Sequence, residues 1–243
     1  MFYWLCKHIL LGPLLRLLFR PQVEGLENVP ADGSAILASN HLSFVDSLFL
    51  PLVVSRKVTF PAKAEYFTAP GFKGFLSKLF FTAAGQIPID RGSGSAAKAT
   101  LETLKGLLKD GDLVGIYPEG TRSPDGRLYR GKTGVARLVL ESGAPVVPCA
   151  LLNTNQIQPL GAKMLKIMRV RIRIGKPLDF SRYAGMERDR LVARSVTDEI
   201  MYEIMSMSGQ PYVDMYGSKA KALLEKESAA AATEEKTPVT AAA

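Results

Sequence analysis

Two cysteines and two histidines are all this 243-residue chain contains. The cysteines, Cys6 and Cys149, are far apart in apolar surroundings. They make no disulfide framework, and a reducing compartment is the default expectation. His8 and His41 are too few and too distant for a zinc-site pattern, so no metal is expected. Acidic residues are also outnumbered: 31 Lys and Arg stand against 23 Asp and Glu, a formal charge of +8. That excess favours an anionic partner, whether nucleic acid, acidic membrane or phosphorylated substrate. The basic residues are scattered and no recognition motif accompanies them, so nucleic acid is not expected. An uninterrupted run of about 20 apolar residues, enough to span a bilayer, is also missing.

What is present is globular, with 47% hydrophobic and 22% charged residues. Residues 1–22 are apolar but interrupted by Lys7, His8, Arg16 and Arg20. They read as an amphipathic helix lying in a membrane interface, with Tyr3 and Trp4 suited to the headgroup level. No small-residue cleavage site follows, so a secretory signal is not read. Deleting residues 1–20 is expected to weaken membrane association and leave the fold. Membrane attachment is expected to be peripheral or monotopic, on the cytoplasmic face.

From Val23 the pattern is α/β. Strand-like runs at residues 34–39, 57–61, 86–90, 113–117, 146–151 and 169–174 alternate with helical segments at 44–54, 67–85, 96–109 and 134–142. The fold class expected is α/β, a mixed, largely parallel sheet flanked by helices. A last amphipathic helix is read over 187–207. The main domain is bounded at 23–215, with an extension at 216–243 that is expected to be disordered from about Ala229.

Four segments carry chemistry. In Asn40-His41-Leu42-Ser43-Phe44-Val45-Asp46 a strand gives way to a helix, the usual place for ligands in open α/β sheets. His41 suits a general base near neutral pH, and Asp46 suits its orienting carboxylate. Alone, the pair reads first as a polar cap at a helix start, with Ser43 or Asp46 capping. Next come Gln86-Ile87-Pro88-Ile89-Asp90-Arg91 and Tyr117-Pro118-Glu119-Gly120-Thr121-Arg122-Ser123, each a turn after a strand with an Arg suited to phosphate. The last is the proline-bracketed strand Pro145-Val146-Val147-Pro148-Cys149-Ala150-Leu151.

In this order, over roughly Val23 to Pro177, the segments resemble the glycerophosphate acyltransferase family of lysophospholipid acyltransferases. The resemblance implies transfer of a fatty acyl group to the free hydroxyl of 1-acyl-sn-glycerol 3-phosphate, giving phosphatidic acid in phospholipid biosynthesis. It also implies acyl-CoA or acyl carrier protein as co-substrate, a lysophospholipid acceptor, a membrane surface and no cofactor. By the same resemblance His41 is the base and Asp46 its partner. Arg91, Glu119, Gly120, Thr121 and Arg122 would bind the acceptor phosphate, and Lys63 would join them. Cys149 departs from the small apolar residue more usual there and reads as packing. Other lysophospholipid or polyol acceptors fit the same motifs.

One rival motif remains. Gly126-Arg127-Leu128-Tyr129-Arg130-Gly131-Lys132-Thr133 matches the P-loop pattern, but the polar stretch before it, with Pro124, lacks the strand that motif needs.

Overall fold

The computed structural model describes residues 2–89, 94–162 and 164–234. Its centre is a seven-stranded sheet in the order β1-β8-β7-β2-β5-β3-β4. The strands are β1 (Gln22–Glu24), β2 (Ala35–Ser39), β3 (Val58–Lys63), β4 (Gln86–Ile89), β5 (Leu113–Ile116), β7 (Val146–Leu152) and β8 (Arg171–Ile174). All neighbours are parallel except β7 with β8. Two short strands, β6 (Leu128–Tyr129) and β9 (Tyr212–Val213), pair separately.

Alternation along β2 sends Ala35 and Leu37 into one core and Ile36 and Ala38 into the other. A central parallel strand covered on both faces therefore reads as an unbroken apolar run. One face packs on α2 (Leu11–Phe19) and α3 (Asp46–Val53) through Phe19, Phe49 and Leu50. The other packs on α6 (Gly94–Lys109), α7 (Gly134–Ser142) and α9 (Arg190–Ser208) through Leu104, Leu138 and Ile200. The expected α/β layering is the one observed, and no helix among the described residues is long and apolar enough to cross a membrane.

Several boundaries moved for identifiable reasons. The helix expected over 67–85 is two, α4 (Glu65–Thr68) and α5 (Gly71–Ala83), separated at Pro70, which has no N–H to continue a helix. The last amphipathic helix begins at Arg190 because Asp189 caps it, accepting from the Leu191 and Val192 N–H groups. Past a short α8 (Thr154–Ile157) and the β9 strand, α10 (Gly217–Glu234) continues beyond Ala229, where disorder was expected. The alanine run there has high helix propensity even without apolar periodicity.

The N-terminal segment is built into the domain. After α1 (Phe2–Leu5), a π-helical turn over Cys6–Leu10 leads into α2. The buried Lys7 ammonium donates to the Val54 carbonyl, and Arg16 donates to the Leu52 carbonyl at 2.8 Å. Both cations thus meet the carbonyl end of α3. Burial, and then Arg16, lower the Lys7 pKa to about 8. Phe19 is buried against Phe49, ring centroids 5.1 Å apart. Leu10, Leu14 and Leu17, by contrast, are exposed. Along α2, Leu15, Leu18 and Phe19 face the core while Leu11, Leu14 and Leu17 face outward.

Candidate active site

The chain leaves β2 at Asn40 and turns sharply before α3, and the turn is organised around one carboxylate. Asp46 is fully buried at the start of α3, and its Oδ2 accepts from the Leu42 and Ser43 N–H groups, both at 2.7 Å. The same oxygen lies 2.9 Å from His41 Nδ1. Asp46 is therefore the partner of the histidine and the acceptor that closes the turn before α3; it does not cap the helix, because neither N–H it accepts from lies within α3. A carboxylate acceptor puts the proton on Nδ1, which leaves Nε2 to take another.

His41 is fixed at other points by the turn after β5. Its backbone N–H donates to Glu119 Oε1 at 3.0 Å, and its carbonyl accepts from the Ser123 N–H at 2.7 Å. Its ring stacks on Tyr117, centroids 3.8 Å apart and planes within 8°. Tyr117 in turn stacks on Phe60 and hydrogen-bonds Ser47 Oγ at 2.9 Å. Burial, and then the Asp46 charge, hold the Tyr117 phenol well above its ordinary pKa, so it stays neutral. The Phe60 ring lies over β5 only because residue 115 is glycine: a Cβ there would come within 2.2 Å of the ring.

Glu119 does not reach the substrate side. It is buried, and its second oxygen accepts from the Tyr129 N–H at 3.0 Å. Burial raises its pKa to about 7 despite the two backbone donors. The sequence reading grouped it with the phosphate ligands, but its geometry is that of a brace between β6 and the His41 turn. A carboxylate is in any case repelled by phosphate.

A cavity of about 460 Å³ opens beside His41, within the usual range for ligand sites. Gly120, Thr121, Arg122, Lys132 and Lys63 are among its lining residues. Arg122 and Lys132 have no ion-pair partner among the described residues, whereas Lys63 pairs with Glu65 at 2.8 Å. Gly120 adopts φ +71, a left-handed conformation natural to glycine, and a Cβ there would press on the Lys132 side chain at 3.1 Å. Of the expected site residues, His41, Gly120, Thr121, Arg122 and Lys63 thus line one cavity, with Asp46 buried behind His41. Arg91 lies outside the described residues.

The fate of its amides agrees with the rejection of the P-loop motif on sequence grounds. Leu128, Arg130 and Lys132 donate their N–H groups to the carbonyls of Pro211, Met215 and Pro118, and Tyr129 donates to Glu119. A phosphate cradle needs those donors converging on the ligand.

Two features went unread in the sequence. Asn40 clamps β7, donating to the Leu151 carbonyl and accepting from the Leu151 N–H at 2.9 and 2.8 Å. It also donates to Gln210 Oε1 at 2.7 Å, and Gln210 Nε2 donates to the Gly126 carbonyl at 2.7 Å. Gln210 lies 170 residues from Asn40, with no local pattern to flag it.

A buried carboxylate–histidine pair at the carboxyl end of a central parallel strand, facing a cationic cavity, is the frame into which the comparisons fall. The acyltransferase family model matches residues 20–152, and the chain belongs to that family. Its relatives narrow the picture. It is 31% identical over 175 residues to the 1-acyl-sn-glycerol-3-phosphate acyltransferase of Bacillus subtilis, covering 71% of this chain and 81% of that protein. It is 34% identical over 166 residues to a chloroplastic enzyme of the same name from Arabidopsis thaliana. That match covers 68% of this chain and 45% of the plant protein, so the chain spans less than half the length of that relative. The crystal structure of the 1-acyl-sn-glycerophosphate acyltransferase PlsC from Thermotoga maritima superposes with a TM-score of 0.56 at 28% identity, over 76% of this chain and 71% of that one.

Proposed function

We propose that this chain transfers a fatty acyl group from a coenzyme A or carrier-protein thioester to the free hydroxyl of 1-acyl-sn-glycerol 3-phosphate. The observation that carries the reading is the 2.9 Å contact of His41 with buried Asp46 at the mouth of a cavity lined by Arg122 and Lys132. His41 Nε2 takes the proton from the acceptor hydroxyl as its oxygen attacks the thioester carbonyl. Asp46 orients the imidazole and offsets the charge it acquires. The tetrahedral intermediate collapses with expulsion of the thiolate, which takes the proton back from His41. Arg122 and Lys132 hold the acceptor phosphate, so the hydroxyl is in place before reaction. Glu119 acts through the His41 backbone as a positioning residue.

Direct transfer is favoured over an acyl-enzyme. Cys149 is fully buried on β7, and burial pushes its thiol far above the range in which a thiolate forms. A narrow apolar cleft of about 50 Å³ between α2, α3 and α5 shares Ser47 with the main cavity; it is too small to enclose a fatty acyl chain. The outward leucines of α2 and the exposed Phe72 and Phe75 of α5 fit peripheral attachment to a membrane. An acyl-transfer assay across lysophospholipids with both donor types tests the assignment. Labelled product restricted to phosphatidic acid is expected. Transfer to other head groups alone would move the acceptor assignment to them.

A further inference from the structure

Beyond the catalytic edge the chain makes a surface loop that the mechanism leaves unused. It begins where β7 ends, and its base is closed by the Lys166 N–H donating to the Ile157 carbonyl at 2.8 Å. Ser43, two residues past His41, fastens it to the site by donating its Oγ–H to the Gln158 carbonyl at 3.0 Å. Its far end is held where Val170 N–H meets the Phe19 carbonyl at the end of α2. Between these anchors the side chains are the reverse of an ordinary surface loop. Met164 is 84% exposed and Ile167 66%, with Leu160 and Leu165 also exposed. Large apolar groups displayed together mark a surface meant to be covered.

Charge indicates by what. Lys166, Arg169, Arg171 and Arg20 are all exposed around the loop's root and the adjoining end of α2. None of the four has an ion-pair partner among the described residues, while the nearby Glu24 is engaged by Arg173. Exposed apolar side chains interleaved with these cations match the interfacial zone of an anionic phospholipid bilayer, where acyl boundary and phosphates lie close together. A soluble acidic protein would be met by the cations and would leave Met164 and Ile167 uncovered.

Position completes the case. The loop joins β7 to β8, on one side of β2, while α5 packs beside β4 on the other. The exposed Phe72 and Phe75 of α5 and the exposed Met164 and Ile167 therefore flank the His41 opening from opposite sides. We infer that the 157–169 loop is a second lipid-contacting element, inserting Met164 and Ile167 into an anionic bilayer while Lys166 and Arg169 engage its phosphates. It sets the active-site mouth down on the membrane from the side that α5 does not reach. The inference stands apart from the acyl-transfer reading, because binding is measured without turnover.

The test is co-sedimentation of the full chain with vesicles of phosphatidylcholine alone and of phosphatidylcholine with phosphatidylglycerol. Two double variants are compared, Met164→Asp with Ile167→Asp and Lys166→Glu with Arg169→Glu. Each is expected to weaken binding to the anionic vesicles about tenfold or more. The charge pair should change little on neutral vesicles. Transfer to a short-chain, monomeric lysophospholipid should stay at the unmodified level in both. Should the aspartate pair fail to fold, the wholly exposed charge pair still decides. Unchanged sedimentation of the variants would overturn the inference. So would unchanged sedimentation with a raised KM for a carrier-protein donor, which would give the surface to that protein.

Discussion

His41 is held from four directions: Asp46 at Nδ1, Tyr117 against the ring face, Glu119 at the backbone N–H and Ser123 at the carbonyl. Such redundancy limits the imidazole to one pose before substrate arrives, which is where orientation lowers a barrier. Glu119 is the most exacting of the four. Its carboxylate is buried, and its pKa of about 7 stands above an ordinary value near 4.5. The native state therefore binds that proton more tightly than the unfolded chain. The stabilisation is complete below about pH 4.5 and is lost as pH rises through about 7. At 1.36 kcal/mol per unit the swing is on the order of 3 kcal/mol. Glu119→Gln should flatten the fall in unfolding free energy across that window, read by urea titration at a series of pH values. It should also lower turnover, since an amide cannot accept from both backbone N–H groups through its two ends. An unchanged pH slope would remove Glu119 as the source.

Elements show how distant pieces of chain are brought to one turn. The β6–β9 pair carries the segment after α9 to the site, and Gln210 at its start bridges Asn40 and Gly126. Gln210→Ala leaves the Asn40 amide short of a buried partner, and a lost partner of this kind costs about 1–3 kcal/mol. The expected result is a several-fold fall in kcat with little change in acceptor KM, because Arg122 and Lys132 are untouched. A rise in KM alone would place Gln210 in binding. The elements also explain what was legible in the chain. Buried strands such as β2 and the His41–Asp46 turn are local patterns, and they were readable as written. The split of α4 from α5 followed from Pro70, a local signal outweighed by the aromatic periodicity around it. Glu119 as a brace, Tyr117 beneath the imidazole and Gln210 across the sheet depend on contacts between distant residues, which no window of sequence contains.

At the scale of the molecule, the N-terminal segment is the main revision. It was expected to be a removable anchor. Lys7 and Arg16 engage the end of α3, and Phe19 sits in the core, so α3 and the Asp46 it carries lean on this segment. Deleting residues 1–20 should lower the unfolding midpoint, since losing a buried Phe alone typically costs about 3–5 kcal/mol. An unchanged thermal melt would restore the removable-anchor view. Leu14→Ser with Leu17→Ser, both exposed, should instead reduce vesicle binding without moving that midpoint. The most direct test of the account is the rate of acyl transfer to 1-acyl-sn-glycerol 3-phosphate by His41→Ala beside the unmodified protein. The account predicts a loss of about 10²–10⁴-fold in kcat, measured on protein shown to be folded at the assay temperature. Near-normal turnover by His41→Ala would contradict it.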